Sequence, residues 1–419
     1  MDVTAGPALT KAPSKAGRLE SWTSAALLVA AIWLAGQFVT QGMADHYAAK
    51  TPPAAVLWRG DSADALASLA QQRLIARDPD HAALFARKAL ERWPLDVAAL
   101  STLAVAMDQT AQPKRADEVM TLAGRLGWRD GLTQAWLFGH RTLQGRYDEA
   151  VLHADALLRR PVSFRPQLLA SLAALAHDPR AVAPLVRRLE LQPSWRTDFL
   201  FGLGQQAGPQ DRPSVHAVLL ALAKGRTPPT SVELGSYLQK FIDAQDWSGA
   251  AAALRELSHA APPPGEYVFD GDFDHGAGIA PFDWTMSQTA GSTTLIADDP
   301  VEARGKALRV EYDGFAASQF ARQLLVAPPG EYLLTFKIRQ DTREAPRQIG
   351  WTILCATDNR VLAKSDGVGA QQGQWIASQV SFSVPAAGCP SQWLQLGAEA
   401  GDRRTDMVVW YDDLSVRRR

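Results

Sequence analysis

The chain has 419 residues, 43 basic against 44 acidic, with 47% hydrophobic residues, 13 tryptophans and two cysteines. That length exceeds one ordinary domain, the near-zero charge excludes the sequence-wide basic footprint of a nucleic-acid binder, and the apolar content excludes wholesale disorder. The charge is uneven: residues 45–262 hold 25 basic and 22 acidic side chains, and residues 263–419 hold 15 and 20.

No charged residue falls between Glu20 and Asp45, and the stretch WTSAALLVAAIWLAGQFV at 22–39 is almost wholly apolar. At a helical rise of 1.5 Å, about 20 such residues cross a hydrocarbon core of about 30 Å. Lys11, Lys15 and Arg18 precede it, so the positive-inside rule puts the N-terminus in the cytoplasm and exports the rest. The reading is a short tail (1–20), an uncleaved signal anchor (21–44) and a linker (45–60). A cleaved signal peptide and a buried soluble helix are the competing readings. With 33 Arg against 10 Lys, this layout is expected of a single-pass bacterial inner-membrane protein with its bulk in the periplasm.

Residues 61–262 are rich in Ala, Leu and Arg, and a mark recurs along them at Pro94, Trp128, Pro161, Pro193, Pro228 and Pro262. The steps are 34, 33, 32, 35 and 34 residues, a period that specifies a repeated helix-turn-helix unit. An alanine stands five residues before each of the first three marks, at Ala89, Ala123 and Ala156. The run LQGRYDEA at 143–150 and the helix DHAALFARKALERWP at 80–94 make this region resemble the tetratricopeptide repeat family, most clearly in its first three units. The fourth has Arg188 where the alanine is expected. The resemblance implies an α-solenoid that binds protein partners; an irregular helical bundle is the alternative.

After the proline run at 262–264 the apolar period changes to two. In EYLLTFKIRQD (331–341) Tyr332, Leu334, Phe336 and Ile338 share one face, and Ile376, Val380, Phe382 and Val384 alternate with polar residues. Such segments divided by Gly, Pro and Asp turns predict an antiparallel β-sandwich over 263–419, so the fold class is multidomain α plus β. The segments YVFDGDFD (267–274), FDW (282–284), KALRVEY (306–312) and VWYDDLSV (409–416) resemble jelly-roll carbohydrate-binding modules of galactose-binding-like topology, with Asp270 and Asp274 departing from that family's usual opening residues. The resemblance implies a bound polysaccharide or oligosaccharide. It also implies a structural Ca²⁺ held by Asp274 with Asp412 or Asp413, with Asp270 a weaker member; solvent-facing turn aspartates are the other reading. No further cofactor is expected.

In QWLQLG (392–397) Leu394 and Leu396 share a face, leaving Trp393 and Gln395 on the other as candidate sugar contacts. Trp284 is a further candidate platform, and Arg339, outward on its strand, a candidate donor. Trp351 reads as core, and Trp375 and Trp410 as completing the sandwich core. Cys355 and Cys389 form an even pair in the exported part and are expected to be disulfide-bonded. No catalytic or phosphate-binding motif is present, and no enzymatic activity is expected. The expected function is a membrane-anchored adaptor in envelope polysaccharide synthesis or exopolysaccharide export. A pure protein scaffold and a membrane-tethered glycan-acting enzyme remain open.

Overall fold

The structure is a computed structural model, and it describes residues 15–161, 163–258, 262–275, 278–301, 305–342, 349–365, 372–402 and 404–419. Lys11 and most of the N-terminal tail lie outside these residues, as do Ala261 and the side chains of Lys15, Arg18 and Trp22. Fourteen α-helices precede ten strands among the described residues. The first, α1 (Lys15–Ala48), carries a span at Leu27–Ala48 long and apolar enough to cross a membrane, a test that a signal sequence also passes. Its Leu28, Ile32, Trp33 and Phe38 are exposed. The short α2 (Pro52–Trp58) follows.

Six helix pairs come next: α3 (Ala63–Ile75) and α4 (Pro79–Arg92), α5 (Val97–Gln109) and α6 (Pro113–Leu126), α7 (Gly131–Leu143) and α8 (Tyr147–Leu158), α9 (Arg165–Ala174) and α10 (Pro179–Leu189), α11 (Arg196–Gln205) and α12 (Arg212–Ala223), α13 (Ser231–Asp243) and α14 (Trp247–Leu257). Successive pairs begin 34, 34, 34, 31 and 35 residues apart. Each recurring mark follows a second helix, which a proline cannot prolong.

The repeat is written in local chemistry. The first helices of the first three pairs are capped by Ser62, Asp96 and Asp130, whose side chains accept from Ala65, Ala99 and Thr133 amides. They end in a left-handed residue, Arg77, Ala111 or Gly145, and the next amide closes a six-residue loop onto the carbonyl of Arg73, Met107 or Arg141. The second helices bury a stripe one turn apart: Ala82, Ala86 and Ala89, then Ala116, Met120 and Ala123, then Ala150, Ala154 and Leu157. Small residues on such a stripe let helix axes approach closely. The third unit therefore aligns on Leu157, one position beyond the expected Ala156, because Pro161 stands four residues after the stripe where Pro94 and Trp128 stand five. In the fourth unit Leu185 and Leu189 are fully buried, so Arg188 lies beside the stripe.

The chain packs as two compact units, Met1–Leu157 and Leu158–Arg419. In the first, fully buried Arg141 pairs with Asp117 at 2.5 Å and Glu149 at 3.1 Å and donates to the Thr121 hydroxyl, tying α6, α7 and α8 together. In the second, buried Arg196 holds Glu233 at 2.8 Å, joining α11 to α13. A buried charge is tolerated only with such full pairing.

The strands are β1 (Thr285–Met286), β2 (Ser292–Asp298), β3 (Lys306–Tyr312), β4 (Ser318–Leu325), β5 (Gly330–Gln340), β6 (Ile349–Cys355), β7 (Val361–Lys364), β8 (Ile376–Val384), β9 (Gln392–Ala398) and β10 (Met407–Arg418). They form two antiparallel five-stranded sheets, ordered β1-β4-β9-β6-β7 and β2-β3-β10-β5-β8. Leu308, Val310, Leu334, Phe336 and Ile338 of one sheet and Phe320, Trp351, Ile353, Leu394 and Leu396 of the other fill the core between them. Each such side chain contributes roughly 1.5–3 kcal/mol on burial. Residues 267–274 form no strand: Asp270 and Phe273 have positive φ, which breaks an extended run, and the Gln323 amide bonds both the N–H and the C=O of Phe269.

Candidate functional site

The outer face of the β1-β4-β9-β6-β7 sheet is set by its register. Arg322 pairs with Thr285 on one side and Gln395 on the other, Gln395 with Thr352, and Thr352 with Lys364, so five polar residues cross the sheet in one row. The adjacent row holds Leu324, Trp393 and Leu354. The Arg322 guanidinium lies 4.5 Å from the Trp393 ring centre, and both side chains are partly exposed. Lys364 is paired with Glu399, whereas Arg322 has no carboxylate partner among the described residues. The result is an aromatic surface beside donors and acceptors from five strands. A sugar ring, apolar on its C–H face and polar at its rim, matches that chemistry.

Of the residues expected there, the structure brings Trp393 and Gln395 together and sends the others elsewhere. Arg339 does point away from the core, but it is fully buried on the outer face of the opposite sheet. Trp375 and Trp410 flank it at 5.1 and 4.7 Å, and Asp299 and Asp341 accept its protons, the latter at 3.2 Å. Trp375 and Trp410 thus lie on that outer face and not in the sandwich core. Trp284 is buried against Phe273 and Trp351, its Nε1 donating to the Asp270 carbonyl at 2.9 Å, so it offers no open ring. Trp351 is core. Sequence reasoning missed Arg322, Thr352 and Lys364. For Arg322 the period-two signal was broken by a bulge between Gln319 and Ala321.

The four candidate metal carboxylates fall into separate surroundings. One Asp274 oxygen accepts the Lys306 amide at 2.7 Å. Asp412 is pushed up to about 7, mainly by burial, then by the charges of Asp413 and Asp274. A half-buried carboxylate with other carboxylate charges beside it offers hard oxygens that suit a calcium ion. Asp413 instead pairs with Lys337 at 2.8 Å. Asp270 joins Asp272 and His275, their ligand atoms lying within 4.8 Å of one another. Burial is the main cause that pushes Asp270 up to about 6, while the Asp270 hydrogen bond is the main cause that raises His275. Cys355 and Cys389 are disulfide-bonded, joining the end of β6 to the segment before β9.

No protein-family profile matches the chain, and no curated protein matches it. Among solved structures, the chain is similar to a protein described under "CBM4 structure and function", at 17% identity over 36% of this chain and 99% of that one, with a TM-score of 0.28. It is also similar to the CBM22-1 xylan-binding domain of Paenibacillus barcinonensis Xyn10C, at 14% identity over 38% and 97%, TM-score 0.28. A third is the CBM22-1–GH10 portion of Clostridium thermocellum Xyn10B complexed with xylohexaose, at 13% identity over 37% and 28%, TM-score 0.26.

Proposed function

We propose that this protein is a non-catalytic, membrane-anchored adaptor that binds a glycan on the outer face of the β1-β4-β9-β6-β7 sheet. The observation that carries the reading is the partly exposed Trp393 ring beside a row of five polar side chains from neighbouring strands. On this reading α1 stays in the inner membrane with its N-terminus cytoplasmic, and the bulk of the chain is periplasmic, a location that the single disulfide favours. The paired helices act as tetratricopeptide-like repeats that recruit protein partners in envelope polysaccharide synthesis or export. A structural Ca²⁺, held by Asp274 and Asp412, belongs to the same reading.

The test is affinity electrophoresis of the full chain, in detergent, through gels containing acidic or neutral bacterial polysaccharides. Retardation should appear in at least one gel, and Trp393→Ala should weaken it by roughly tenfold, the loss of one good stacking contact. Equal mobility of parent and variant in every gel would sink the reading in favour of a pure protein scaffold.

A further inference from the structure

Three tryptophans recur at the same place in the repeat. Trp58 ends α2, Trp93 follows α4 and Trp128 follows α6, each 35 residues from the last, and their exposures are 45%, 64% and 47%. Each is a chain neighbour of an arginine, Arg59, Arg92 or Arg129, and each stands near an exposed leucine, Leu57, Leu95 or Leu126. A soluble array normally turns such residues inward, because an exposed indole leaves a large apolar surface in water. Here they are repeated along the edge where second helices end.

The first unit also fixes this edge to α1. The Arg59 guanidinium donates to the Gln41 side chain of α1 at 2.5 Å, and α1 packs on α2 and α3. From Gln41 to Ala48 the helix climbs about 10 Å, and the seven residues of α2 descend about the same distance. Trp58 is thereby returned to the level of Gln41, two residues beyond the apolar stretch that ends at Val39. One open cleft of about 750 Å³ is lined by Gln41, Arg59, Arg92, Trp93 and Leu95 together, so the second tryptophan belongs to the same level. Of the nearby acids, Asp64 is exposed in the same cleft, and the others are engaged within the protein. Asp61 pairs with Arg59 and Arg92, and the Asp96 and Asp130 carboxylates accept the amides of Ala99 and Thr133.

We infer that this edge of the array, at Trp58, Trp93 and Trp128, rests on the bilayer surface around α1. Indole rings match the headgroup region, where the ring meets apolar chains and its N–H meets headgroup oxygens. The inference rests on the reading of α1 as a retained anchor. It makes the first three helix pairs a platform lying along the membrane, with their other edge, at Ile75 and Leu143, turned toward the aqueous side.

The test uses the full chain in vesicles of phosphatidylethanolamine and phosphatidylglycerol, with one environment-sensitive fluorophore on an added cysteine. Leu57→Cys, Leu95→Cys and Leu126→Cys report the proposed edge and leave the tryptophans in place. Ile75→Cys and Leu143→Cys report the other edge, and Trp33→Cys reports the anchor. Shallow nitroxide lipids should quench positions 57, 95 and 126 at least roughly twofold more than 75 and 143, as expected for groups about 5–10 Å into the interface. Deep nitroxides should quench position 33. Quenching at 33 with none at 95 and 126 overturns the inference and leaves the anchor standing. No quenching at 33 overturns the anchor and the inference with it.

Discussion

The guanidinium of Arg339 stands 4.7 Å from the ring centre of Trp410, its partner across the β5-β10 ladder, and Trp375 closes the other side at 5.1 Å. Asp299, itself buried, and Asp341 accept its protons, and the same two aspartates accept the indole N–H groups of Trp375 and Trp410. Two rings, two carboxylates and one cation form a set in which the Nε and Nη1 of Arg339 and both indole N–H groups are bonded, while the buried Arg339 Nη2 has no hydrogen-bond partner among the described residues. Arg339→Met should destabilise the chain by about 3–5 kcal/mol, because it leaves Asp299 buried without its counter-charge. The double variant with Asp299→Asn should recover part of that loss. Urea denaturation of the three chains measures both, and equal stability of single variant and parent would contradict the account.

His153 is almost fully buried, with its Nδ1 2.7 Å from the Gln134 side-chain oxygen and Trp128 stacked on its ring. Burial first, and then the charge of Arg141, lower its pKa to about 4. An unfolded histidine binds its proton near pH 6.5, so the unfolded state gains protons that the folded state refuses between that pH and about 4. Stability should therefore fall as the pH drops through this window, by about 2 kcal/mol after allowing for partial access of water. Denaturation at about pH 7 and about pH 4.5 should show a smaller difference in His153→Gln than in the parent.

Ala111 occupies a left-handed position, φ 57°, where Gly145 stands in the next pair. A side chain at such an angle costs roughly 1 kcal/mol relative to glycine. Ala111→Gly should raise the thermal midpoint, and Gly145→Ala should lower it. Parallel melts of the two variants check the opposite signs.

Asp274 and Asp412 repel each other unless a cation lies between them. In chelator, Asp412→Asn should melt at least as high as the parent; in calcium, the parent alone should gain stability as ligand binds the folded state. Calorimetry with and without the ion decides it, and a parent melt indifferent to calcium would remove the metal from the proposed function.

Cys355 and Cys389 close a loop of sequence separation 34, for which the chain-entropy account gives about 4 kcal/mol. Cys355→Ser with Cys389→Ser should lose about that much in urea denaturation. A loss no greater than a few tenths would show that the unfolded chain is already restrained.

Local periodicity made much of the fold legible. The proline interval reports where second helices must stop, and period-two alternation reports the inner faces of β5 and β9 correctly. The left-handed helix ends were visible only at Gly145, since Arg77 and Ala111 adopt the same backbone under tertiary constraint. The site was half legible for a related reason. Alternation says that Trp393 and Arg339 both point outward, but it carries no information about what covers each face. Trp393 stands partly exposed, whereas two tryptophans and an aspartate from distant segments enclose Arg339. Arg322 was invisible because its role depends on pairing with a strand far along the chain.

The Cys355–Cys389 bond acts on more than the unfolded chain. Cys355 lies opposite Gln392 where β6 pairs with β9, and Cys389 lies only three residues before Gln392. The covalent link is thus a zero mark for the alignment of these two strands. A slip of one residue would turn Trp393 and Gln395 into the core and present Leu394 and Leu396 to water. Oxidation of this pair would then fix which side of β9 the protein shows to its surroundings.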